Sequence, residues 1–337
     1  MRTHQLPCGS QLHERGEEDL SLIGDATPDR CHRAAQPVRP SLWQAVAKRH
    51  VPQPCITRAT HNGRVTSLTA AARLVHPAPA MTVTLLSAVL GLILLDRAGQ
   101  PADHRLWLTI LAVAGSQVFT GATNDLADRV RDLAAGRTEK PLVAGQLAPG
   151  VALWIASGGL GLQLAASFWL GVGPLALGLL ASASAAAYNL YLSRTPYSPV
   201  PYLLSFGVLP LWIASGVGIE VGRVLPAVPL AALLAVAAHL ANVLRDFDVD
   251  AATGSRSLPQ VVGRAAAMRL AVGCALVAGI GLGLALIVSG RPNPASLALG
   301  ALGLVSVGVG ATSEHRLWYA LLMAAVAWTA AWALSAG

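Results

Sequence analysis

Two segments of the chain each place one asparagine and two aspartates at positions i, i+4 and i+8. They are Asn124, Asp128 and Asp132 in the first segment and Asn242, Asp246 and Asp250 in the second. On a continuous helix, residues at this spacing share one face, so each segment predicts a ridge of side-chain oxygens. Two such ridges repel each other unless a cation lies between them. Mg²⁺ prefers oxygen ligands and completes its shell with water and substrate phosphates, so the pattern predicts a diphosphate held by Mg²⁺.

The two segments are copies of one another. A constant offset of 118 residues aligns all six residues and also aligns three pairs of turn formers, which are Gly136 with Gly254, Pro141 with Pro259 and Gly145 with Gly263. Repeats in multi-span proteins place equivalent elements around a shared cavity. Either segment alone is also compatible with a solvated helix end, but the shared spacing favours a single composite site.

The elements that carry these segments are apolar. The 337 residues are 54% hydrophobic and 12% charged, and residues 142–192 contain no charge, whereas soluble domains average roughly 25% charged residues. Each apolar run is near the ~20 residues that a membrane helix needs. The sequence predicts an all-α membrane protein, a bundle of nine transmembrane helices around a central apolar cavity. Their approximate limits are 79–96, 105–123, 147–166, 171–191, 201–219, 225–243, 266–288, 295–312 and 316–335.

The distribution of basic residues predicts the orientation of the chain. After Arg73 the basic residues alternate between successive connections, with ten on one side and four on the other. The larger group is Arg129, Arg131, Arg137, Lys140, Arg194, Arg245, Arg256, Arg264, Arg269 and Arg316, and the smaller is Arg97, Arg105, Arg223 and Arg291. This asymmetry fits the positive-inside rule and explains the net charge of +7 without nucleic acid. We therefore predict a multi-pass protein of a prokaryotic plasma membrane, with both acidic segments facing the cytoplasm.

Residues 1–73 differ from the rest of the chain. They carry ten basic and six acidic side chains and have no apolar periodicity, which predicts a disordered N-terminal extension. One hypothesis is that translation starts near Val65, so that residues 1–64 are not part of the native protein. The domain itself is predicted to cover residues 74–337. The four cysteines lack the spacing of a zinc site.

The two segments resemble the signatures of the UbiA prenyltransferase superfamily, which are membrane-intrinsic enzymes with Asp-rich motifs. The signature Asn-Asp-x-x-Asp-x-x-x-Asp matches residues 124–132 without a departure. The signature Asp-x-x-x-Asp, followed by Gly-x-x-x-Leu-Pro, matches residues 246–259. The resemblance covers about residues 70–335. It implies nine helices and Mg²⁺-dependent transfer of a prenyl group from an isoprenoid diphosphate to an aromatic or quinone-precursor acceptor, which is small or lipid-like.

The resemblance also implies roles for individual residues. It assigns metal-bridged diphosphate binding to the six repeated Asn and Asp residues, with Asp128, Asp132, Asp246 and Asp250 as the catalytic carboxylates. Asp125 and Asp248 are implied to assist through water. Basic residues of the family contact the diphosphate, and the matching candidates here are Arg137, Lys140 and Arg194.

Candidates for the substrate cavity are less distinctive. Aromatic faces stabilise a developing allylic cation, so Tyr188, Tyr191, Phe119 and Trp212 are candidates, although each is also compatible with ordinary packing. His239 lies one turn before Asn242 and is a candidate base or acceptor contact, or a structural histidine. Where many relatives carry Arg-Pro before the first helix, this chain has His76-Pro77, which leaves acceptor recognition open; Arg73 is a candidate replacement.

Two other functions fit parts of the pattern. A membrane terpene cyclase uses the same metal site and lets the allylic cation attack its own chain. A cation-coupled transporter is less compatible, because transport sites lie near the bilayer midplane, whereas these aspartates lie at the ends of spans. The length of the donor and the identity of the acceptor do not follow from the motifs.

Overall fold

The computed structural model describes residues 67–288 and 293–335, and these residues contain helices and connections but no strands. Two short 3₁₀ helices are Leu192–Arg194 and Val221–Val224. The α-helices are α1 Ser67–Leu74, α2 Pro77–Arg97, α3 His104–Ala134, α4 Pro149–Leu170, α5 Val172–Leu190, α6 Val200–Gly216, α7 Ala227–Arg245, α8 Phe247–Ala252, α9 Leu258–Val262, α10 Arg264–Val288, α11 Pro294–Gly310 and α12 Glu314–Leu334. The all-α prediction is confirmed for the described part of the chain.

Within residues 67–288 and 293–335, six helices are long and apolar enough to cross a membrane, namely α2, α3, α4, α7, α10 and α12. Helices α6 and α11 are apolar but have only 17 residues each. Every predicted span coincides with a helix, but six of them meet the length and composition of an independent span. A multi-pass membrane protein follows, while the count of nine spans and the central cavity stay predictions.

Helix α3 extends beyond the predicted span 105–123 and continues through the first acidic segment, as the spacing of its aspartates predicts. It has 31 residues, which corresponds to about 46 Å. Close packing positions it: a Cβ at Gly115 would lie 2.6 Å from the Gly159 carbonyl oxygen of α4. Small residues let membrane helices approach to backbone contact. The acidic end of α3 is therefore held by a rigid helix pair.

The N-terminal region is helical where it is described. Helix α1 covers residues 67–73 of the segment predicted to be disordered, and Ala70 and Leu74 are buried. Burial of this apolar face against the domain stabilises a helix that is too short to form alone. Residues 1–66, including the hypothetical start near Val65, lie outside the described residues.

At the opposite end of α3, Arg105 joins three helices. Its guanidinium donates to the carbonyl oxygens of Gly216 at 3.0 Å, Ser215 at 3.2 Å and Leu170 at 3.3 Å. These carbonyls end α6 and α4, where helices leave acceptors without intrahelical partners. One side chain thus ties the start of α3 to the ends of both neighbours.

Candidate active site

The first acidic segment forms the last turns of α3. Asn124, Asp125, Asp128 and Asp132 lie on an uninterrupted helix, as the spacing predicts. Asp125 and Asp132 are each only 1% exposed, and Asp128 is also buried. Carboxylates at such depth require cationic partners or hydrogen bonds.

The second acidic segment departs from this geometry. Helix α7 ends at Arg245, and Asp246 lies at the junction with α8. The Asp246 N–H bonds to the carbonyl of Val243, three residues back, at 3.2 Å. The prediction of a continuous helical ridge is therefore wrong for this copy, because the tightened turn separates Asn242 on α7 from Asp250 on α8.

Both segments nevertheless end in the same type of turn. In each copy a glycine with positive φ follows the helix, at +69° for Gly136 and +75° for Gly254. Each helix then closes with the pair of backbone hydrogen bonds that defines a Schellman motif. The matched bonds are Arg137 N to Asp132 O and Ser255 N to Asp250 O, both 3.0 Å, and Gly136 N to Leu133 O at 3.2 Å and Gly254 N to Ala251 O at 3.1 Å. The repeat at an offset of 118 residues is thus present in the backbone.

Lys140 lies between two buried carboxylates. Its Nζ is 2.9 Å from Asp125 Oδ1 and 2.7 Å from Asp132 Oδ2. Burial by itself lowers the pKa of Lys140, but the two carboxylates outweigh burial and the pKa is raised. Lys140 is therefore a fixed cation at the end of α3.

Two arginines extend this network. Arg137 lies 3.5 Å from Asp132 Oδ1 and 3.5 Å from Asp246 Oδ2, so it joins the two copies. Arg194 lies 3.2 Å from Asp128 Oδ1. All three basic residues that were predicted to contact the diphosphate thus form ion pairs with carboxylates of the motifs.

A residue that the sequence reasoning missed also binds Asp128. Arg131 lies 2.7 Å from Asp128 Oδ2. The spacing of three residues on one helix is the signal that could have found it, because such residues are neighbours on the helix surface. Asp128 is therefore shared between an arginine of its own helix and Arg194.

The connection that carries Arg194 is bound to the second copy. The backbone carbonyl of Arg194 accepts a hydrogen bond from the Arg256 N–H at 3.1 Å. Four residues on, Ser198 Oγ accepts from the Leu258 N–H at 3.3 Å. These bonds hold the connection after α5 against the loop after α8, so the acidic segments and Arg194 form one site.

The two motif asparagines have different partners. Asn124 Nδ2 donates to Asn189 Oδ1 at 3.3 Å, and the buried Asn189 is anchored by Thr120 and Thr123. Asn242 Oδ1 accepts from Arg245 at 3.0 Å. Asn189 is a second missed residue; a polar side chain within an apolar span was its signal.

The carboxylates of the second acidic segment that lie in the site have fewer cationic partners than those of the first. Burial raises the pKa of Asp250, and the neighbouring Asp246 and Asp128 raise it further, against the opposing effect of Arg131 and Arg137. In the described part of the chain, no group of three or more His, Cys, Asp or Glu side chains is arranged to hold a metal by itself. A hard cation would need the asparagine oxygens and external phosphate as well. The all-oxygen donor set and the cation deficit fit Mg²⁺ with a bound diphosphate.

Asp248 lies outside this constellation. Its side chain is 87% exposed and pairs with Arg264 at 2.6 Å, which also contacts Glu314 at 2.6 Å. Arg264, at the start of α10, thus links α8 to α12. The implied assistance of Asp248 through water therefore has no support in its position.

The aromatic candidates divide into three environments. Tyr188, Tyr202 and the buried His239 form one cluster, with ring centroids 4.5–5.6 Å apart. His239 Nε2 lies 3.1 Å from Ser198 Oγ, and its Nδ1 is buried with no hydrogen-bond partner among the described residues. Trp212 is 1% exposed in a packed core, and Tyr191 is 74% exposed. Tyr188 and His239 thus adjoin the site through Ser198, while Trp212 is structural.

His76 and Arg73 contact the site from the N-terminal side. His76 Nε2 lies 3.1 Å from Asp125 Oδ1. Arg73 donates to the carbonyl oxygen of Glu139, next to Lys140, at 2.9 Å. Arg73, the candidate for acceptor recognition, and His76, the departure from the family pattern, both contact residues next to or bound to Lys140.

Solved structures share this fold. Digeranylgeranylglyceryl phosphate synthase superposes with a TM-score of 0.63 at 16% identity, covering 80% of this chain and 98% of that one. A UbiA homologue from Aeropyrum pernix K1 gives 0.62 at 20% identity, covering 74% and 97%. A UbiA homologue from Archaeoglobus fulgidus, bound to GPP and Mg²⁺, gives 0.60 at 17% identity, covering 77% and 99%. In sequence, no curated protein matches the chain significantly.

The sequence model of the UbiA prenyltransferase family matches residues 84–336. This range contains both aspartate segments and eleven of the twelve described α-helices, in full or in part. The repeat, the shared turn geometry and the three clustered cations agree with that match. The chain belongs to the UbiA prenyltransferase family.

Proposed function

We propose that the protein uses Mg²⁺ to transfer a prenyl group from an isoprenoid diphosphate to an aromatic or quinone-precursor acceptor, small or lipid-like. The observation that carries this proposal is the convergence of Arg137, Lys140 and Arg194 on the carboxylates of a duplicated motif. The Archaeoglobus fulgidus homologue, which shares the fold, binds GPP or DMAPP together with Mg²⁺. The donor half of the reaction has the stronger support.

The balance of charges explains the metal requirement. Five carboxylates of the two segments lie near four cationic side chains, which are Arg131, Arg137, Lys140 and Arg194. A diphosphate adds further negative charge to this nearly balanced site. Binding is therefore unfavourable unless divalent cations enter with the substrate.

The residues that would hold Mg²⁺ are Asn124, Asp128, Asp132, Asn242, Asp246 and Asp250. Bound Mg²⁺ supplies Lewis-acid stabilisation of the negative charge on the departing diphosphate. Arg137 and Lys140 add fixed positive charge at the same place, without reorganisation during the reaction. Together they favour cleavage of the allylic C–O bond.

The second half of the reaction, in which the acceptor attacks the allylic cation, requires that water be excluded. An allylic cation must survive until the acceptor attacks, and an apolar enclosure prevents its hydrolysis. The partly buried Tyr188 and the buried His239 provide aromatic and neutral surroundings beside the motif. We propose that the prenyl chain extends from the metal site into the bundle along this cluster, and that the site opens to the cytoplasm.

Membranes containing the protein should be incubated with labelled allylic diphosphates of increasing length, with Mg²⁺ or EDTA, and with a panel of aromatic acceptors. The expected result is a prenylated acceptor, detected by mass spectrometry, that forms only with Mg²⁺. Absence of Mg²⁺-dependent turnover for every donor would refute the proposal. A hydrocarbon or terpene alcohol formed without acceptor would instead indicate a cyclase.

A further inference from the structure

His76 adopts a backbone conformation that its sequence position disfavours. Its φ is +54°, and it is the only non-glycine residue with positive φ in the described part of the chain. Residues other than glycine and asparagine rarely adopt this region, and Pro77 restricts the preceding residue to extended conformations. A strained residue of this kind persists only where surrounding contacts hold it.

The backbone turn at Val75 and His76 packs closely against α3. A Cβ on Gly121 of α3 would lie 2.7 Å from the Val75 carbonyl oxygen and 3.0 Å from Val75 Cα. The turn therefore rests directly on α3, one helical turn before Asp125. Leu74, which precedes the turn, is fully buried in a core cluster that includes Ala122 of α3.

The close packing of the turn against α3 places the His76 ring next to Asp125. A carboxylate only accepts hydrogen bonds, so Nε2 carries the hydrogen and donates to Oδ1 over 3.1 Å. Asp125 is 1% exposed, and its Oδ2 is buried with no hydrogen-bond partner among the described residues. The same Oδ1 binds Lys140 at 2.9 Å. His76 and Lys140 are therefore the two groups that compensate this buried charge.

We propose that His76 is a positioning residue that holds Asp125 so that Lys140 remains directed at the diphosphate site. This inference rests on the proposed function. With Asp132 as a ligand of Mg²⁺, Lys140 would lose that partner and keep Asp125 as its anchor. Without His76, Asp125 depends on Lys140 alone and draws the ammonium group away from the diphosphate.

The inference distinguishes His76 from an acceptor-binding residue. His76→Gly removes the donor and retains positive φ without strain. His76→Asn keeps a donor in a residue that tolerates the left-handed region. Gly121→Ala keeps His76 but pushes the turn away from α3. The matched control is His104→Gly, at an exposed position at the start of α3.

The test measures Mg²⁺–pyrophosphate binding to the purified full chain by calorimetry. We expect His76→Gly to weaken binding about tenfold, Gly121→Ala to weaken it similarly, and His76→Asn to restore most of it. In a Lys140→Met background, His76→Gly should cause no further loss, because non-additivity marks residues that act through one another. Binding unchanged in His76→Gly, equal losses in Gly and Asn variants, or additive losses with Lys140→Met would overturn the inference.

Two further readouts separate this inference from the proposed function. Steady-state kinetics should show a higher KM for the donor and an unchanged KM for the acceptor in His76→Gly; the reverse pattern would make His76 an acceptor contact. If wild-type protein binds no Mg²⁺–pyrophosphate, the proposed function fails on its own. Acylation of Lys140, followed by mass spectrometry, then tests the positioning directly, since His76→Gly should slow it by tightening the pairing of Lys140 with Asp125, and an unchanged rate would contradict the inference.

Discussion

The guanidinium of Arg137 lies 3.5 Å from Asp246, a residue 109 positions further along the chain and in the other copy of the repeat. Its second terminal nitrogen lies 3.5 Å from Asp132, in its own copy. The Schellman turn that ends α3 places Arg137 at this position, because its N–H closes the turn on the Asp132 carbonyl. The residue that follows the first acidic segment therefore connects both halves of the site.

Replacing Arg137 should impair the donor half of the reaction. Arg137→Ala leaves Asp246 without its cationic neighbour and removes fixed charge at the diphosphate, so kcat/KM for the donor should fall about 100-fold. Arg137→Lys should recover only part of this, because Arg137 contacts the two carboxylates with separate terminal nitrogens and a lysine has only one. Arg129→Ala, exposed on the same helix, is the control. Full activity of Arg137→Lys would contradict the bridging role.

Asp246 and Asp248, on either side of Phe247, should differ in their importance for turnover. Asp246→Asn and Asp128→Asn should each reduce Mg²⁺-dependent turnover about 100-fold or more, because each removes a charged oxygen ligand. Asp248→Asn should stay within about twofold, because an exposed ion pair such as that with Arg264 contributes little. Turnover is measured in membranes after immunoblotting confirms equal protein. A comparable loss in Asp248→Asn would place that residue in the site.

The metal dependence should shift with pH. The raised pKa of Asp250 means that this carboxyl retains its proton to a higher pH than a free aspartate. Protons therefore compete with Mg²⁺ for this ligand as the pH falls through the raised pKa, and competition disappears above it. The Mg²⁺ concentration for half-maximal rate should rise as the pH is lowered from 7.5 to about 5. A half-saturation constant that is independent of pH would argue against Asp250 as a ligand.

Arg105 should contribute to the stability of the bundle. Arg105→Ala leaves the carbonyls of Gly216, Ser215 and Leu170 without this donor, which should lower the free energy of unfolding by about 2 kcal/mol. Thermal unfolding in detergent measures the effect. Arg223→Ala, at an exposed position, is the control. A midpoint equal to that of wild type would show that water satisfies these carbonyls equally well.

The proposed orientation is testable with single cysteines. After replacement of the four native cysteines by serine, Thr138→Cys lies at the exposed turn beside Lys140 and Gln100→Cys lies in the exposed connection after α2. A membrane-impermeant thiol reagent applied to inverted vesicles should label Thr138→Cys, and the same reagent applied to intact cells should label Gln100→Cys. Reversed labelling would place the site on the outside.

The sequence by itself determined the donor chemistry, because helical spacing and an offset repeat depend only on local order along the chain. Asn124 to Asp132 and Asn242 to Asp250 were recognisable as one duplicated motif, and the family match agrees with that interpretation. The cations Arg137, Lys140 and Arg194 followed from the resemblance and lie on the motif carboxylates. Apolar composition likewise predicted the helices, and in the part of the chain that the structure describes six of them have the length and hydropathy of independent spans.

Only the tertiary structure decided which groups surround each carboxylate. The break at Asp246 comes from a turn closed three residues back rather than four, and Asp248 pairs with Arg264 outside the site. The contact of His76 with Asp125 spans 49 residues and depends on Gly121 admitting the Val75 backbone. No spacing rule predicts such contacts, because they arise from how separate helices pack and from which buried charges then require partners.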